Sequence, residues 1–343
     1  CRILSNLRQK GPSPERMLHV FSLADLLLIF VATIWGINVT VVKKALTELN
    51  PLAFNSLRFA ISAGLSWVVL GVAREKPLPR GKDLPALIVL GLIGHTLYQV
   101  LFIYGTNSTT ASNTALLLAT IPIWVAALGA ITREEVAGPL TWLGIGLSLF
   151  GIALVTGGGN LSVGGGTLGG DLMLVAGTFF YGLYVLKSKA LLGKYSPVQY
   201  STWTTTVGAL GLGALSLRQL GTQDWGRVGF TGWGGLAFSA VLAIALGYFI
   251  WSYGIQKLGS ARAAIYNNLT PVTGLIFSSV FLKEKITALQ VGGIVLIITG
   301  LTLARRKKLL RRQEFVGEGS PLPPIPYRLW QKGPSDPNEE VRK

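Results

Sequence analysis

One cysteine, Cys1, in 343 residues leaves nothing for an intramolecular disulfide to pair with and makes a thiol-ligated metal site untenable. Histidine is nearly as scarce: His19 and His95 are the only two, too few for a metal cluster or an embedded protease. Neither metal nor other cofactor is therefore expected, and the chain does not read as an enzyme. Charged residues of both signs make up only 13% of the sequence, which removes the ordinary water-soluble enzyme folds. The 15 acidic residues stand at run ends, in connections or in tails, so no apolar run has a carboxylate at its middle.

What the sequence does have is long apolar runs. Half of it is hydrophobic, with 43 glycines. About 20 apolar residues suffice for a helix to cross the hydrocarbon core. Ten such runs can be marked, at 22–44, 51–73, 84–105, 109–131, 137–156, 171–191, 197–217, 229–256, 260–282 and 287–304. A β-barrel would show shorter alternating strands instead. The expected fold is an all-α polytopic membrane protein with ten transmembrane helices. The first run is full length and lacks a small-residue cleavage site, so no cleavable signal peptide is expected. A lipid on Cys1 would place the N-terminus outside, which the basic stretch Arg2–Arg16 opposes.

A net charge of +16 raises nucleic acid as a partner, but its placement points elsewhere. With a cytoplasmic N-terminus, 24 of the 31 Lys and Arg fall on the cytoplasmic side and six outside, with Arg58 inside a run. That asymmetry follows the positive-inside rule and puts both termini in the cytoplasm. No nucleic acid is expected, and a bacterial plasma (inner) membrane is the expected location.

The stretch Thr156–Asp171, "TGGGNLSVGGGTLGGD", separates two sets of five runs. The sets align: Asp25 with Asp171, Trp35-Gly36 with Tyr181-Gly182, and "NPLAF" with "SPVQY", all 146 residues apart. Farther on, "LFIYGTNSTTAS" matches "IWSYGIQKLGSA", Pro122 matches Pro271 and Glu135 matches Glu284, at an offset of 149. Five is odd, so the second copy enters the membrane from the opposite side. Inverted repeats of this kind mark secondary transporters, whose site lies between the repeats near the midplane. The chain thus divides into an N-terminal tail (1–21), a first repeat (22–156), a linker (157–170), a second repeat (171–304) and a C-terminal tail (305–343).

The sequence resembles the drug/metabolite transporter superfamily, in its ten-helix branch built from two EamA-type domains. The resemblance rests on "TIWGINVTVVKKAL", "NPLAFNSLRF", "TTASNTALLLATIPIW" and "TPVTGLIFSSVFLKEKITALQVGGIVLIITGL", and spans roughly 22–304. "ITREEVAGPLTWLG" departs from the usual form, whereas "FLKEKIT" keeps it. The resemblance implies a carrier of small solutes, among which amino acids, sugars, purines and drugs all occur.

Polar residues inside apolar runs are the candidate site, because each costs free energy unless it pairs or faces a wet cavity. In the third run His95, Tyr98, Gln99 and Phe102 fall at i, i+3, i+4 and i+7, one helical face. His95 has no polar counterpart in the second repeat, where Leu246 stands near its place and Tyr248 takes that of Gln99, so it is a candidate for substrate choice or protonation. Thr33, Trp35 and Asn38 from the first run face Tyr181 and Tyr184 across the pseudo-axis, although Trp35-Gly36 and Tyr181-Gly182 equally suit close helix packing. Asn113, Asn267 and Asn268 accompany Pro122 and Pro271. Those prolines are expected to kink their helices and free the Leu118 and Asn267 carbonyls. Trp251 and Tyr253 suit an interfacial belt, leaving Tyr248 as the cavity candidate of that run. Arg58 reads first as a snorkelling side chain, with pairing to an anionic substrate as the alternative. Asp25 and Asp171 suit the dipole and cap of a helix start.

The expected function is a secondary transporter, an exporter or facilitator working by alternating access, of small amphipathic metabolites such as amino acids. A drug/proton or metabolite exchanger coupled through His95 is the alternative, since His95 is the one deep group titrating near neutral pH. A channel and an intramembrane enzyme rank below these. The basic stretch "ARRKKLLRRQEF" is expected to bind anionic lipid, ahead of a proline-rich remainder.

Overall fold

The computed structural model describes residues 22–75, 79–132, 139–158, 167–267 and 269–317, and among these every regular element is helical. Local sequence sets where the helices begin. Helix α1 (Leu23–Ala45) starts at Ser22, whose side chain accepts from the Asp25 N–H while Asp25 answers the Ser22 N–H. Asp25 is therefore the third residue of a capping box and not the cap itself. Helix α2 (Pro51–Val72) starts on a proline, whose missing N–H costs nothing in a first turn. Two short helices follow, α3 (Leu84–Gly91) and α4 (Tyr98–Ser108), joined without a break by the π-helical segment Leu92–Leu97. Next come α5 (Ala111–Leu118), α6 (Ile121–Ile131) and α7 (Pro139–Gly158).

Helix α8 (Thr167–Leu192) begins before Asp171, so this carboxylate lies beyond the first turn and serves no cap. Helix α9 (Pro197–Thr222) has its own capping box, from Ser196 to Gln199. Helices α10 (Phe230–Phe238) and α11 (Gly247–Leu258) again flank a π-helical segment, Ser239–Leu246. The described chain closes with α12 (Ser260–Tyr266), α13 (Leu269–Phe281) and α14 (Ala288–Gly317). Linker positions 159–166 and the tail beyond 317 lie outside the described residues.

Six helical stretches are long and apolar enough to cross a membrane: Leu23–Ala45, Pro51–Val72, Gly81–Ser108, Ala111–Ile131, Leu168–Leu192 and Phe230–Leu258. Three more apolar stretches are shorter, at Trp142–Gly151, Leu269–Phe281 and Ala288–Gly300. Helix α9 has the length but not the apolarity. Its buried Ser201, Thr202, Thr204 and Thr205 belong to an interface rather than to lipid. The fold is therefore all-helical with six strongly apolar spans among the described residues.

The chain up to Ala304 is one compact unit, and the residues from Arg305 form another. Within the first unit, helices from either side of the linker interleave. Helix α2 lies along α9, α1 along α13 and α11, and α4 along α8. The packing is reciprocal: α9 runs against the π segment 92–97, and α2 against the π segment 239–246. Small residues allow the close approaches. A Cβ on Gly36 would meet Thr273 Oγ1 at 1.9 Å and the Thr270 carbonyl at 2.6 Å, so α1 and α13 touch through bare backbone.

The outside of this unit is more apolar than a water-soluble protein tolerates. Phe230 is 93% exposed and Val72 80%, with Val68, Phe150, Leu210, Leu217 and Val280 also turned outward. The buried interior, by contrast, holds Asn55, Arg58, Ser62, Ser66, Gln99 and Asn113. An apolar exterior around a partly polar interior is what a hydrocarbon solvent selects. The protein is a multi-span membrane protein.

Candidate functional site

The hydrogen-bond bookkeeping of the π segments leads to the site. In an α-helix the Gly247 N–H would bond the Ala243 carbonyl four residues back. In the π segment it reaches Ile244 and Leu242 instead. Two carbonyls of that segment accept bonds from the other half of the chain. Trp35 Nε1 donates to Ala243 O at 2.8 Å, and Ser62 Oγ donates to Ala240 O at 2.7 Å. Extra-residue turns of this kind recur at functional sites because they free backbone acceptors.

A second knot lies beside it, around Arg58 on α2. Arg58 is 1% exposed. Its Nε donates to Asn55 Oδ1 at 2.7 Å, Nη1 to Ser239 Oγ at 2.9 Å and Nη2 to Gln99 Oε1 at 2.6 Å. Gln99 passes the chain on from its Nε2 to the Tyr248 hydroxyl at 3.0 Å, and its carbonyl accepts from Asn55 Nδ2 at 2.9 Å. Phe54, Phe59 and Phe102 present rings 5.3–5.9 Å from the guanidinium carbon. Snorkelling is thereby overturned: the side chain points inward and is held there by three neutral acceptors.

A cavity of about 50 Å³ opens against this knot. Of the candidates read from the sequence, Trp35, Asn38, Tyr98, Gln99, Tyr181, Tyr248 and Asn267 line it, together with Arg58, Phe102, Leu118, Ile121 and Thr270. Two lining atoms are buried with no hydrogen-bond partner among the described residues, Asn38 Oδ1 and the Tyr181 hydroxyl. The walls are otherwise aromatic. Tyr98 and Tyr181 lie 4.6 Å apart by ring centroids, and Trp35 stands 6.2 Å from Tyr248.

Other candidates fall elsewhere. His95 is fully buried but behind the wall, 4.7 Å from the Tyr248 ring, 4.9 Å from Tyr184 and 5.8 Å from Phe59. Among the described residues, neither of its ring nitrogens has a hydrogen-bond partner. The one-face arithmetic assumed a continuous α-helix. The Tyr98 N–H bonds Ile93, five residues back, and that wider turn rotates His95 off the face of Tyr98 and Gln99. Tyr184 backs the wall as well, stacked near Tyr200 at 6.1 Å. Trp251 is 1% exposed and 5.1 Å from Trp35, so it belongs to the interior and not to an interfacial belt.

The prolines sit at breaks rather than kinks. Helix α5 stops at Leu118, and Pro122 lies in the first turn of α6; α12 stops at Tyr266, and Pro271 lies near the start of α13. The Leu118 carbonyl is met from the other half by Asn267 Nδ2 at 3.3 Å. Asn268 lies outside the described residues.

Asn113 does not line the cavity and belongs instead to a network that ties one end of the bundle. Its Nδ2 donates to Asp171 at 3.1 Å and its Oδ1 accepts from Gln290 at 2.5 Å, while Thr109 Oγ1 donates to Asp171 at 2.6 Å. Glu284 accepts from the Ala111 and Ser112 N–H groups at 2.8 Å each, capping α5. Lys43 donates to the Thr106, Asn107 and Thr109 carbonyls at the end of α4. The opposite end has its own ties. Tyr266 bonds Asp25, Ser196 bonds Glu75, and Asp83 accepts from Lys194 at 2.8 Å and Tyr195 at 2.9 Å. Among the described residues, no three of His, Cys, Asp and Glu gather into a metal-holding group.

Two stretches of the chain, residues 22–157 and 168–306, each match the EamA-like transporter family. The chain belongs to that family. It is thus a member of the drug/metabolite transporter superfamily, and its curated relatives are named as transporters. An uncharacterized transporter of Archaeoglobus fulgidus is 26% identical over 286 residues, covering 82% of this chain and 99% of that one. YyaM of Bacillus subtilis, also an uncharacterized transporter, is 28% identical over 78% of this chain and 89% of its own length. A protein of Streptantibioticus cattleyicolor described as a probable terminal-alkyne amino-acid exporter is 30% identical over 78% of this chain and 86% of its own. One solved crystal structure at 17% identity superposes with a TM-score of 0.61, over 84% of this chain and 98% of that one, a likeness of fold.

Proposed function

We propose that this EamA-family transporter moves small amphipathic metabolites such as amino acids, as an exporter or facilitator, by alternating access across a bacterial plasma membrane. The observation that carries the reading is the central cavity. Its wall takes residues from α1, α2 and α4 on one side of the linker and from α11, α13 and the π segment 239–246 on the other. Two helix breaks, at Leu118–Ile121 and around Asn267, open onto it. Discontinuous helices at a cavity between halves are how secondary transporters build a substrate site. The two separate family matches and the reciprocal packing of α2 and α9 support ten spans in two inverted repeats, with both termini cytoplasmic.

Aromatic walls with unpartnered polar atoms suit a solute with an apolar body and a polar head. The relative named as an amino-acid exporter fits the same solute class. The present volume is near that of one or two waters, so loading requires the wall to open. Proton coupling through His95 is the weaker reading, because its ring lies behind Tyr248 without a hydrogen bond. Anionic lipid headgroups are the proposed partners of the basic segment Arg305–Arg312.

Uptake and counterflow of radiolabelled amino acids in proteoliposomes test the proposal. Saturable flux that trans-substrate accelerates is the expected result. Non-saturable conductance would replace the carrier with a channel.

A further inference from the structure

The guanidinium of Arg58 is a positive charge placed inside the bundle, and among the described residues no carboxylate meets it. Burying an unpaired ion costs several kcal/mol even after relaxation, so such a group needs an explanation. Three of the five guanidinium N–H donors are used, on Asn55, Ser239 and Gln99. All three acceptors are neutral. Among the described residues, Arg58 forms no ion pair. The phenylalanine rings offer some compensation through their faces, but each such contact is worth only about 0.5–2 kcal/mol. Two N–H donors and the net charge are left over.

Arg58 is one of the residues lining the cavity, which is where a counter-charge could reach it. The neutral contacts fix the side chain in place, so the guanidinium is oriented before anything arrives. A planar fork of donors matches the two oxygens of a carboxylate or a phosphate, and the amino-acid class proposed above carries the carboxylate. The same cavity holds Asn38 Oδ1, a buried acceptor with no partner. An acceptor near the anchor suits the ammonium of a zwitterion.

Resting on the transporter reading above, we infer that Arg58 is the substrate-carboxylate anchor and makes this carrier selective for carboxylate-bearing cargo. The arginine has two roles at once. It ties α2 to Gln99 of α4 and to Ser239 at the head of the second π segment, and its unpaired charge recognises cargo. Binding a carboxylate would neutralise the one uncompensated buried charge of this knot, so loaded and empty states differ in electrostatics at the point where the two halves meet.

The test uses the full chain in proteoliposomes and three probes that differ only at the head: phenylalanine, its carboxamide and phenethylamine. Wild type is expected to carry the acid at least about tenfold faster than either derivative, a factor equivalent to 1.4 kcal/mol. Arg58→Gln should lose that preference, and Arg58→Lys, which keeps the charge without the fork, should retain part of it. Should Arg58→Gln fail to give monodisperse protein, the wild-type ratio and Arg58→Lys decide. Equal wild-type rates for acid and carboxamide would overturn the anchor while leaving transport standing. No flux of any of the three, or of the other standard amino acids, would overturn the amino-acid transport reading on which the anchor rests.

Discussion

Gln99 joins three partners in the central knot. It accepts from Arg58, donates to Tyr248 and lends its carbonyl to Asn55, and it is buried throughout. Gln99→Leu strands one guanidinium donor and the Tyr248 hydroxyl, and a stranded buried polar group costs about 1–3 kcal/mol. A lower thermal midpoint in detergent, with flux reduced as well, is the expected outcome. His95 behaves differently, because its two nitrogens make no hydrogen bond among the described residues. His95→Leu should leave stability and flux near wild type, since apolar replacement of an unsatisfied group is close to neutral. His95→Ala should destabilise by about 2–4 kcal/mol through the void it leaves among Phe59, Tyr184 and Tyr248. Thermal melts of the two variants, with flux measured at two pH gradients, separate this from a proton-coupling role: loss of the gradient response in His95→Leu would restore that role. At this scale the sequence was legible where polarity inside an apolar run was the signal. Trp35, Asn38, Gln99 and Tyr248, which line the cavity, carry that signal. Arg58 was misread, because a cation two turns into a helix can reach either outward or inward and only its neighbours decide.

Helices of this chain are defined as much by their interruptions as by their lengths. The second π segment and the two proline breaks contribute residues to the cavity wall, and the first π segment ends immediately before Tyr98 of that wall. Prolines could be read in the sequence, but whether they bend or end a helix could not. That outcome depends on Asn267 reaching across to Leu118, a tertiary contact. The π segments left no mark in residue type at all, which is why a 3.6-residue period put His95 and Gln99 on one face. Close helix contact is the other element-scale claim. Gly36→Val should separate α1 from α13, because its side chain would collide with Thr273 and the Thr270 carbonyl. Folded yield and flux are expected to fall together. Gly64→Ala, where a Cβ meets open space, should change neither, and size-exclusion profiles of the two variants check the contrast.

At the scale of the molecule, both ends of the bundle are tied by polar networks around a small central cavity. At one end Asp171, Asn113, Gln290, Glu284 and Lys43 converge on the junction of α4 and α5. At the other, the end facing the cytoplasm in the proposed topology, Asp25 with Tyr266 ties α1 to α12, and Asp83 with Lys194 and Tyr195 ties the start of α3 to the chain just after α8. The pairing of Asp25 with Asp171 across the sequence halves foreshadowed this arrangement. Asp25 keeps the capping role its position suggested, in the box with Ser22, whereas Asp171 looked like a cap until its partners Thr109 and Asn113 appeared. Opening one network at a time is how alternating access would proceed. Glu284→Ala uncaps α5 and should loosen that end alone, raising exchange of the cavity with the solvent it faces. The most direct measurement combines this with the cavity itself. In a Cys1→Ser background, Asn38→Cys is exposed to a membrane-impermeant thiol reagent from each side of sealed vesicles, with and without transported amino acid. The account predicts labelling from either side, slowed by cargo on both, and faster from one side in Glu284→Ala. Labelling from a single side that cargo leaves unchanged would contradict it.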